Sequence, residues 1–108
     1  MQFRVLLTPI KMVKIHGNYC GPNWTGGKPY AASDSRVDWN VPCVDKLDCA
    51  CKKHDRDCAH PKGCSRKGDA ALVATAFWIG LTARNPALRS KAQAITTAIT
   101  AASIVRRR

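Results

Sequence analysis

Six cysteines restrict the fold of this chain more than any other feature of its sequence. They are Cys20, Cys43, Cys49, Cys51, Cys58 and Cys64, all within the first two thirds of the 108 residues. A domain of this size is marginal on core burial alone, so we expect cross-links or a metal to support it. Disulfides would indicate an oxidising compartment, whereas zinc would use the same residues as thiolates. Six cysteines allow fifteen disulfide pairings, and their spacing alone selects none of them.

The charge balance favours a polyanionic partner. Eighteen Lys and Arg against seven Asp and Glu give a net charge of +11. Such a charge attracts nucleic acid, anionic membranes or sulfated glycans without choosing among them. The run Arg106–Arg108 is expected to be a solvated tail.

The start of the chain does not resemble a signal peptide. The apolar run 5–10 is short and broken by Pro9, and no small-residue cleavage site follows it. No segment is long and apolar enough to span a bilayer. We expect a single domain over 1–108 that has lost a leader, belongs to a larger protein or is exported by another route, for example inside a virus particle. Residues 1–15 alternate loosely and are compatible with a short strand or helix.

Three helices are predicted after a long ordered loop over 16–42, which is rich in Gly, Pro, Asn and Ser. The first follows Pro42, because apolar and functional residues recur there at spacings of three and four, and it is expected to end near the segment HPKG at 60–63. Those residues are Leu47, Cys51, His54, Asp55 and Cys58. A second helix is expected from Gly68 or Asp69 to Ala83. A third is expected over 86–105, with Asn85 and Pro86 as its cap and first residue.

A cluster of possible catalytic residues lies on the first of these helices. His54 and Asp55 are adjacent, on a face that also carries Cys51. Asp69 opens the next helix, which can return antiparallel and face His54. The other histidines, His16 and His60, have no evident partner in the sequence and are expected on the surface.

Three segments together resemble the secreted phospholipase A2 superfamily. They are YCGPNWTGG (19–27), DKLDCACKKHD (45–55) and CSRKGDAAL (64–72). They look like the calcium loop, the catalytic helix and the second-helix aspartate of that family, and the likeness covers residues 19–77. The pair Gly21–Pro22 is closer to the phospholipase domain of parvoviral capsid proteins. The resemblance implies a small, mainly α, disulfide-rich fold with two antiparallel catalytic helices and a Gly-rich calcium loop.

The resemblance also implies a calcium site. The carbonyls of Tyr19, Gly21 and Asn23 would bind Ca²⁺ together with both carboxylate oxygens of Asp55. Ca²⁺ prefers oxygen ligands in a flexible cage, and glycine allows a loop to turn several carbonyls inward. A Cys20–Cys51 disulfide, also implied by the likeness, would tie this loop to the catalytic helix.

The implied chemistry is Ca²⁺-dependent hydrolysis of the sn-2 ester of glycerophospholipids. His54 would deprotonate a water near neutral pH, and Asp69 would fix the tautomer of its ring. The arrangement follows triad logic with water in place of serine. The backbone N–H of Gly21 would help to stabilise the oxyanion.

Several positions depart from the family pattern. Asn23 stands where secreted enzymes have Gly, although Asn tolerates a left-handed backbone. Ala50 separates Cys49 from Cys51, where the family has adjacent cysteines. Cys58 replaces a tyrosine that supports the second-helix aspartate, so the sequence leaves open what steadies Asp69. Cys58 can instead pair with Cys64, which would leave Cys43 with Cys49.

The large apolar residues have ordinary interpretations beside functional ones. Trp24 and Trp39 suit either a membrane interface or packing within the loop. Phe77 and Trp78 are expected in the core. The Thr and Ile positions of the last helix are expected to pack against the two catalytic helices.

Two alternatives from other classes compete with the enzyme. The segment CACKKHDRDC (49–58) and the charge suit a zinc-stabilised nucleic-acid-binding module. That hypothesis lacks paired Cys-x-x-Cys spacings and leaves Asp69 and the Gly-rich loop unused. The other alternative is a membrane-binding or toxin-like protein that keeps the fold but has no catalytic activity. The favoured prediction is a monomeric, secreted or virion-associated enzyme that acts on phospholipid surfaces, preferably anionic, and not on nucleic acid.

Overall fold

Three helices dominate the part of the chain that the structure describes. A computed structural model describes residues 13–108, so the expectation for residues 1–15 lies almost wholly outside the described residues. The helices are α1 (Lys46–Cys58), α2 (Arg66–Thr82) and α3 (Pro86–Ser103). Within 13–108 the backbone forms no strand, only isolated bridges between His16 and Cys20 and between Thr25 and Lys28. The predicted small, mainly α, disulfide-rich class is confirmed.

A side-chain cap begins each helix. Asp45, Ser65 and Asn85 accept hydrogen bonds from backbone N–H groups of the first turns. The Ser65 cap, which accepts from the N–H of Gly68 at 2.9 Å, moves the start of α2 to Arg66, ahead of the predicted Gly68 or Asp69. α2 ends at Thr82, one residue before the predicted end, and α3 ends at 103 instead of 105.

The core lies along α2, which packs against both other helices. α1 and α2 run antiparallel: His54 near the end of α1 meets Asp69 near the start of α2. Lys46, at the start of α1, lines the same cleft as Thr75, which lies just past the middle of α2. The apolar core residues of the helices are Leu47, Cys51, Leu72, Ala76, Ala92, Ile95 and Ile99. On α3 the isoleucines pack as predicted, but mainly against α2. The threonines at 96, 97 and 100 stay half-buried or exposed.

Disulfides use all six cysteines. Cys20 pairs with Cys51, Cys43 with Cys49, and Cys58 with Cys64. The first ties the loop before α1 to the middle of that helix. The other two close the segments that enter and leave α1.

Phe77 and Trp78 were expected in the core, and this prediction is wrong. Their exposed fractions are 56% and 65%. The buried stripe of α2 recurs at spacings of three and four residues and consists of Asp69, Leu72, Ala76 and Gly80. Because 77 and 78 fall between these positions, the helix turns their side chains away from the core.

The run Arg106–Arg108 is not the solvated tail that its charge suggested. Arg106 reaches Asp69 at 2.9 Å, and Arg108 reaches Asp57 at 3.0 Å. Only the middle arginine of the run is exposed. Asp57, near the end of α1, and Asp69, near the start of α2, provide the carboxylate partners. The sequence of the run itself does not reveal these partners.

The two loop tryptophans pack within the protein. Both are half-buried; the Trp24 indole donates to the carbonyl of Gly17 at 2.9 Å, and Trp39 stacks on Tyr19 with ring centroids 6.2 Å apart. Packing within the loop is therefore the interpretation that the structure supports.

The two remaining histidines differ. His60 is exposed, as expected. His16, for which no partner was expected, lies 2.6 Å from the carboxylate of Asp45. None of the helices within 13–108 combines the length and apolar character that a membrane crossing requires.

Candidate active site

Helix α1 presents His54 and Asp55 on its buried face. Leu47, Cys51 and Cys58 are also buried, as the spacing of three and four predicted, and so is Asp48, which that prediction did not include. His54 is 2% exposed and Asp55 is fully buried. The rigid helix thus presents an imidazole and a carboxylate side by side, in an environment that largely excludes water.

His54 meets Asp69 across the two helices. Nε2 of His54 lies 2.6 Å from Oδ1 of Asp69, which is in the first turn of α2 and 1% exposed. The structure therefore brings together the two residues predicted to form the catalytic pair. An ionised carboxylate only accepts hydrogen bonds, so Nε2 carries the proton and Nδ1 holds a lone pair.

The protonation states support that assignment. Burial raises the pKa of Asp69, but hydrogen bonds from His54 and Arg106 outweigh it and leave the pKa below its usual 3.8. Burial lowers the pKa of His54 below its usual 6.5, although the hydrogen bond to Asp69 acts in the opposite direction. At neutral pH the pair is therefore a carboxylate and a neutral imidazole, which can accept a proton.

Two further residues hold Asp69 and the loop, and the sequence did not single them out for these roles. Arg106 donates to Oδ2 of Asp69 at 2.9 Å and to Oδ1 at 3.3 Å. Asp48, fully buried, accepts from the backbone N–H groups of Asn18, Tyr19 and Val44 at 2.8–3.1 Å. Asp48 lies in the segment 45–55 that resembles the catalytic helix, and the sequence predicted no role for it. For Arg106, the sequence predicted only a place in a solvated tail.

The cysteines near Nδ1 of His54 are not available as metal-binding thiolates. The Sγ of Cys58 lies 3.6 Å from Nδ1 of His54, and His54, Cys58 and Cys64 form a cluster with ligand atoms within 4.8 Å of one another. The two sulfurs are joined to each other, and all six cysteines are in disulfides. A cysteine binds zinc only as a deprotonated thiol. The zinc-stabilised alternative therefore loses its ligands.

The loop before α1 has an unusual backbone. Gly17, Gly21 and Asn23 have positive φ angles of 60°, 143° and 49°. At Gly21 an added Cβ would lie 2.0 Å from the carbonyl oxygen of Val13, so only glycine fits there. Asn23 adopts the left-handed conformation that its side chain tolerates.

Several contacts fix this loop to the protein. The N–H groups of Val13 and Ile15 donate to the carbonyls of Pro22 and Cys20 at 3.0 and 2.9 Å. The Cys20–Cys51 disulfide and the Asp48 carboxylate bind the loop to α1. The loop is therefore held on the helix that carries His54 and Asp55.

The proposed calcium ligands fit the ion by the chemistry of their donors. Asp55 supplies a carboxylate from a rigid helix, and Tyr19, Gly21 and Asn23 would supply carbonyls from the anchored loop. All are hard oxygen donors of the kind that Ca²⁺ prefers. The Gly21 carbonyl accepts from the N–H of Trp24 at 3.3 Å, and its second lone pair can still bind a cation.

A cleft of about 660 Å³ opens beside His54 between α1 and α2. Its lining includes Ala50, Ala71 and Leu72, and lysines at 46, 53 and 67 add positive charge. A cleft of this size suits a ligand with an apolar portion and a negative group.

Comparisons with known proteins yield no match to any family model, curated protein or solved structure.

Proposed function

We propose that this protein is a Ca²⁺-dependent phospholipase A2 that hydrolyses the sn-2 ester of glycerophospholipids. The observation that carries the proposal is the buried His54–Asp69 pair, 2.6 Å apart, beside an apolar cleft. Ester hydrolysis by water needs such a base next to a place for an acyl chain. The choice of the sn-2 bond rests on the resemblance of the three sequence segments alone.

His54 acts as the general base through Nδ1. With Nε2 donating to Asp69, Nδ1 can take a proton from a water that attacks the ester carbonyl. The Asp69 carboxylate stabilises the imidazolium that forms and keeps the ring oriented. The proton then passes from His54 to the leaving alcohol.

Calcium completes the site in this proposal. Tyr19, Gly21 and Asn23 would hold it through their carbonyls and Asp55 through its carboxylate. When bound, the ion polarises the ester carbonyl and offsets the negative charge of the oxyanion. The N–H of Gly21 is assigned as a further donor to that oxyanion.

The partner is a phospholipid surface, preferably anionic. Phe77, Trp78 and Leu81 are 56–65% exposed on one side of α2, and aromatic rings suit the interface of a bilayer. Ala71, Thr75 and Trp78 follow one another at helical spacing, so the ring of Trp78 continues the row of residues that lines the cleft. The net charge of +11 adds attraction to anionic headgroups.

The proposed location is outside the cell or on a virion, with the protein acting as a monomer. Three disulfides support an oxidising destination. The choice between secretion and a virion follows from the resemblance, not from the fold.

The test is release of fatty acid from mixed liposomes by the wild type and by His54→Gln, with Ca²⁺ and with a chelator. Gln fills a similar space but cannot act as a base, so turnover should fall to background while the circular dichroism spectrum is unchanged. His60→Gln, on the exposed His60, is the matched control and should remain active. Retained turnover in His54→Gln would refute the assigned mechanism.

A further inference from the structure

Asp69 has a cationic partner, Arg106, besides the neutral imidazole of His54. Nε of Arg106 donates to Oδ2 of Asp69 at 2.9 Å, and Nη2 reaches Oδ1 at 3.3 Å. Oδ1 also accepts from Nε2 of His54 at 2.6 Å. The planar guanidinium therefore contacts both oxygens of the carboxylate, and one of them is shared with the histidine.

The segment that carries Arg106 is fixed to the protein. The carbonyl of Arg108 accepts from the N–H of Arg66 at 2.8 Å. The Arg108 guanidinium donates to the carbonyls of Gly63 and Asp57 at 2.8 and 2.7 Å. These contacts attach the chain after α3 to the α1–α2 connection. Arg106 thus approaches Asp69 from an anchored backbone.

The geometry gives Arg106 a role that a simple charge would not fill. A carboxylate can rotate about its Cβ–Cγ bond, and rotation would withdraw Oδ1 from His54. Two parallel N–H donors from one planar group oppose that rotation, because both oxygens are bound at once. Cys58, which stands where the family that the chain resembles has a supporting tyrosine, is joined to Cys64.

We propose that Arg106 is a positioning residue, whose guanidinium holds the Asp69 carboxylate in the orientation that binds the Nε2–H of His54. By fixing this hydrogen bond, Arg106 keeps Nδ1 as the basic nitrogen. It acts through Asp69 and touches no substrate. The inference rests on the proposed hydrolase function for its consequence in turnover, but the hydrogen bond itself can be measured without any activity.

The test compares four variants with the wild type: Arg106→Met, Arg106→Lys, Arg107→Met and Arg108→Met. The first readout is the NMR resonance of the His54 Nε2–H proton, which lies downfield when a carboxylate accepts it. The second is kcat and KM for fatty-acid release from liposomes. Arg107 is exposed, so Arg107→Met removes the same charge at a neighbouring position. Arg108→Met weakens the anchor of the segment without removing the guanidinium from Asp69.

We expect Arg106→Met to shift the Nε2–H resonance or broaden it beyond detection and to lower kcat about 10–100-fold, with KM within about twofold. Arg106→Lys should retain part of the Nε2–H resonance and part of kcat, because Lys keeps the positive charge but lacks the two parallel N–H donors of the guanidinium. Arg107→Met should leave both unchanged, and Arg108→Met should lower stability but keep the resonance.

A folded Arg106→Met with the wild-type resonance would overturn the proposal, because Arg106 would then only anchor the chain. If Arg106→Met does not fold, Arg106→Lys decides: an unshifted resonance together with wild-type kcat contradicts the proposal. A wild type that releases no fatty acid would refute the proposed function, while the resonance would still test Arg106.

Discussion

Replacing Asp48 with Asn should weaken the attachment of the loop to α1 while leaving the side-chain volume nearly unchanged. Oδ1 of Asp48 accepts from the N–H groups of Tyr19 at 2.8 Å and Asn18 at 3.1 Å, and Oδ2 accepts from Val44 at 2.9 Å. Asn puts an NH₂ group in the place of one oxygen and removes the negative charge. At least one backbone N–H then faces another donor.

The expected loss is about 3 kcal/mol of the free energy of unfolding. One hydrogen bond to a charged group contributes about 1.5–3 kcal/mol, and the remaining bonds weaken by roughly 1 kcal/mol as they become neutral. Because Asp48 is fully buried, water does not replace the lost partner. For a domain of this size, such a loss lowers the Tm by about 15 °C.

Urea and thermal unfolding followed by circular dichroism measure this change, and calorimetric Ca²⁺ titration of the folded variant measures its effect on the loop. We expect Ca²⁺ affinity to fall as well, because the Asp48 contacts fix the backbone of Tyr19. Asp34→Asn is the matched control, since Asp34 pairs with the exposed Arg36 and such pairs rarely change stability measurably. An Asp48→Asn variant that unfolds at the wild-type midpoint would refute the reasoning.

Three further predictions follow from the site and its surface. Asp55→Asn should lose Ca²⁺ binding and hydrolysis together, because it removes the one charged ligand proposed. Calorimetry measures the binding and the liposome assay measures the hydrolysis. Full activity of this variant with Ca²⁺ would reject the ligand assignment. Trp78→Ala should weaken co-sedimentation with anionic liposomes about tenfold, as expected for losing one large apolar contact. The preference for anionic surfaces is checked separately with the wild type. Equal binding to neutral and anionic vesicles at low salt would indicate another partner for the positive charge. Asp69, whose pKa is lowered by folding, should contribute stability that is present above pH 3.8 and lost as the pH falls below it. Urea midpoints of wild type and Asp69→Asn should therefore converge toward low pH, and a constant difference would contradict the assigned ionisation.

Local spacing was enough to predict the helices and the residues that meet between them. The recurrence of Leu47, Cys51 and His54 at spacings of three and four predicted that they share one face of α1, because helical periodicity is a property of the sequence itself. The cap residue Asn85 and the first helical residue Pro86 predicted the start of α3, because capping also depends on local sequence. A short connection then made antiparallel neighbours of α1 and α2, so that Asp69 could be expected opposite His54.

Contacts between distant residues were decided only by the tertiary structure. Arg106 and Asp69 are 37 residues apart, and no periodicity relates them. Their pairing depends on how α3 packs on α2 and on where α3 ends, since the end of α3 sets the position of Arg106. The buried stripe of α2, with Leu72 and Ala76, likewise depends on which side of the helix its neighbours cover, and this left Trp78 exposed. Sequence spacing determines which side chains share a face, but only packing determines which face is buried and which distant charge reaches it.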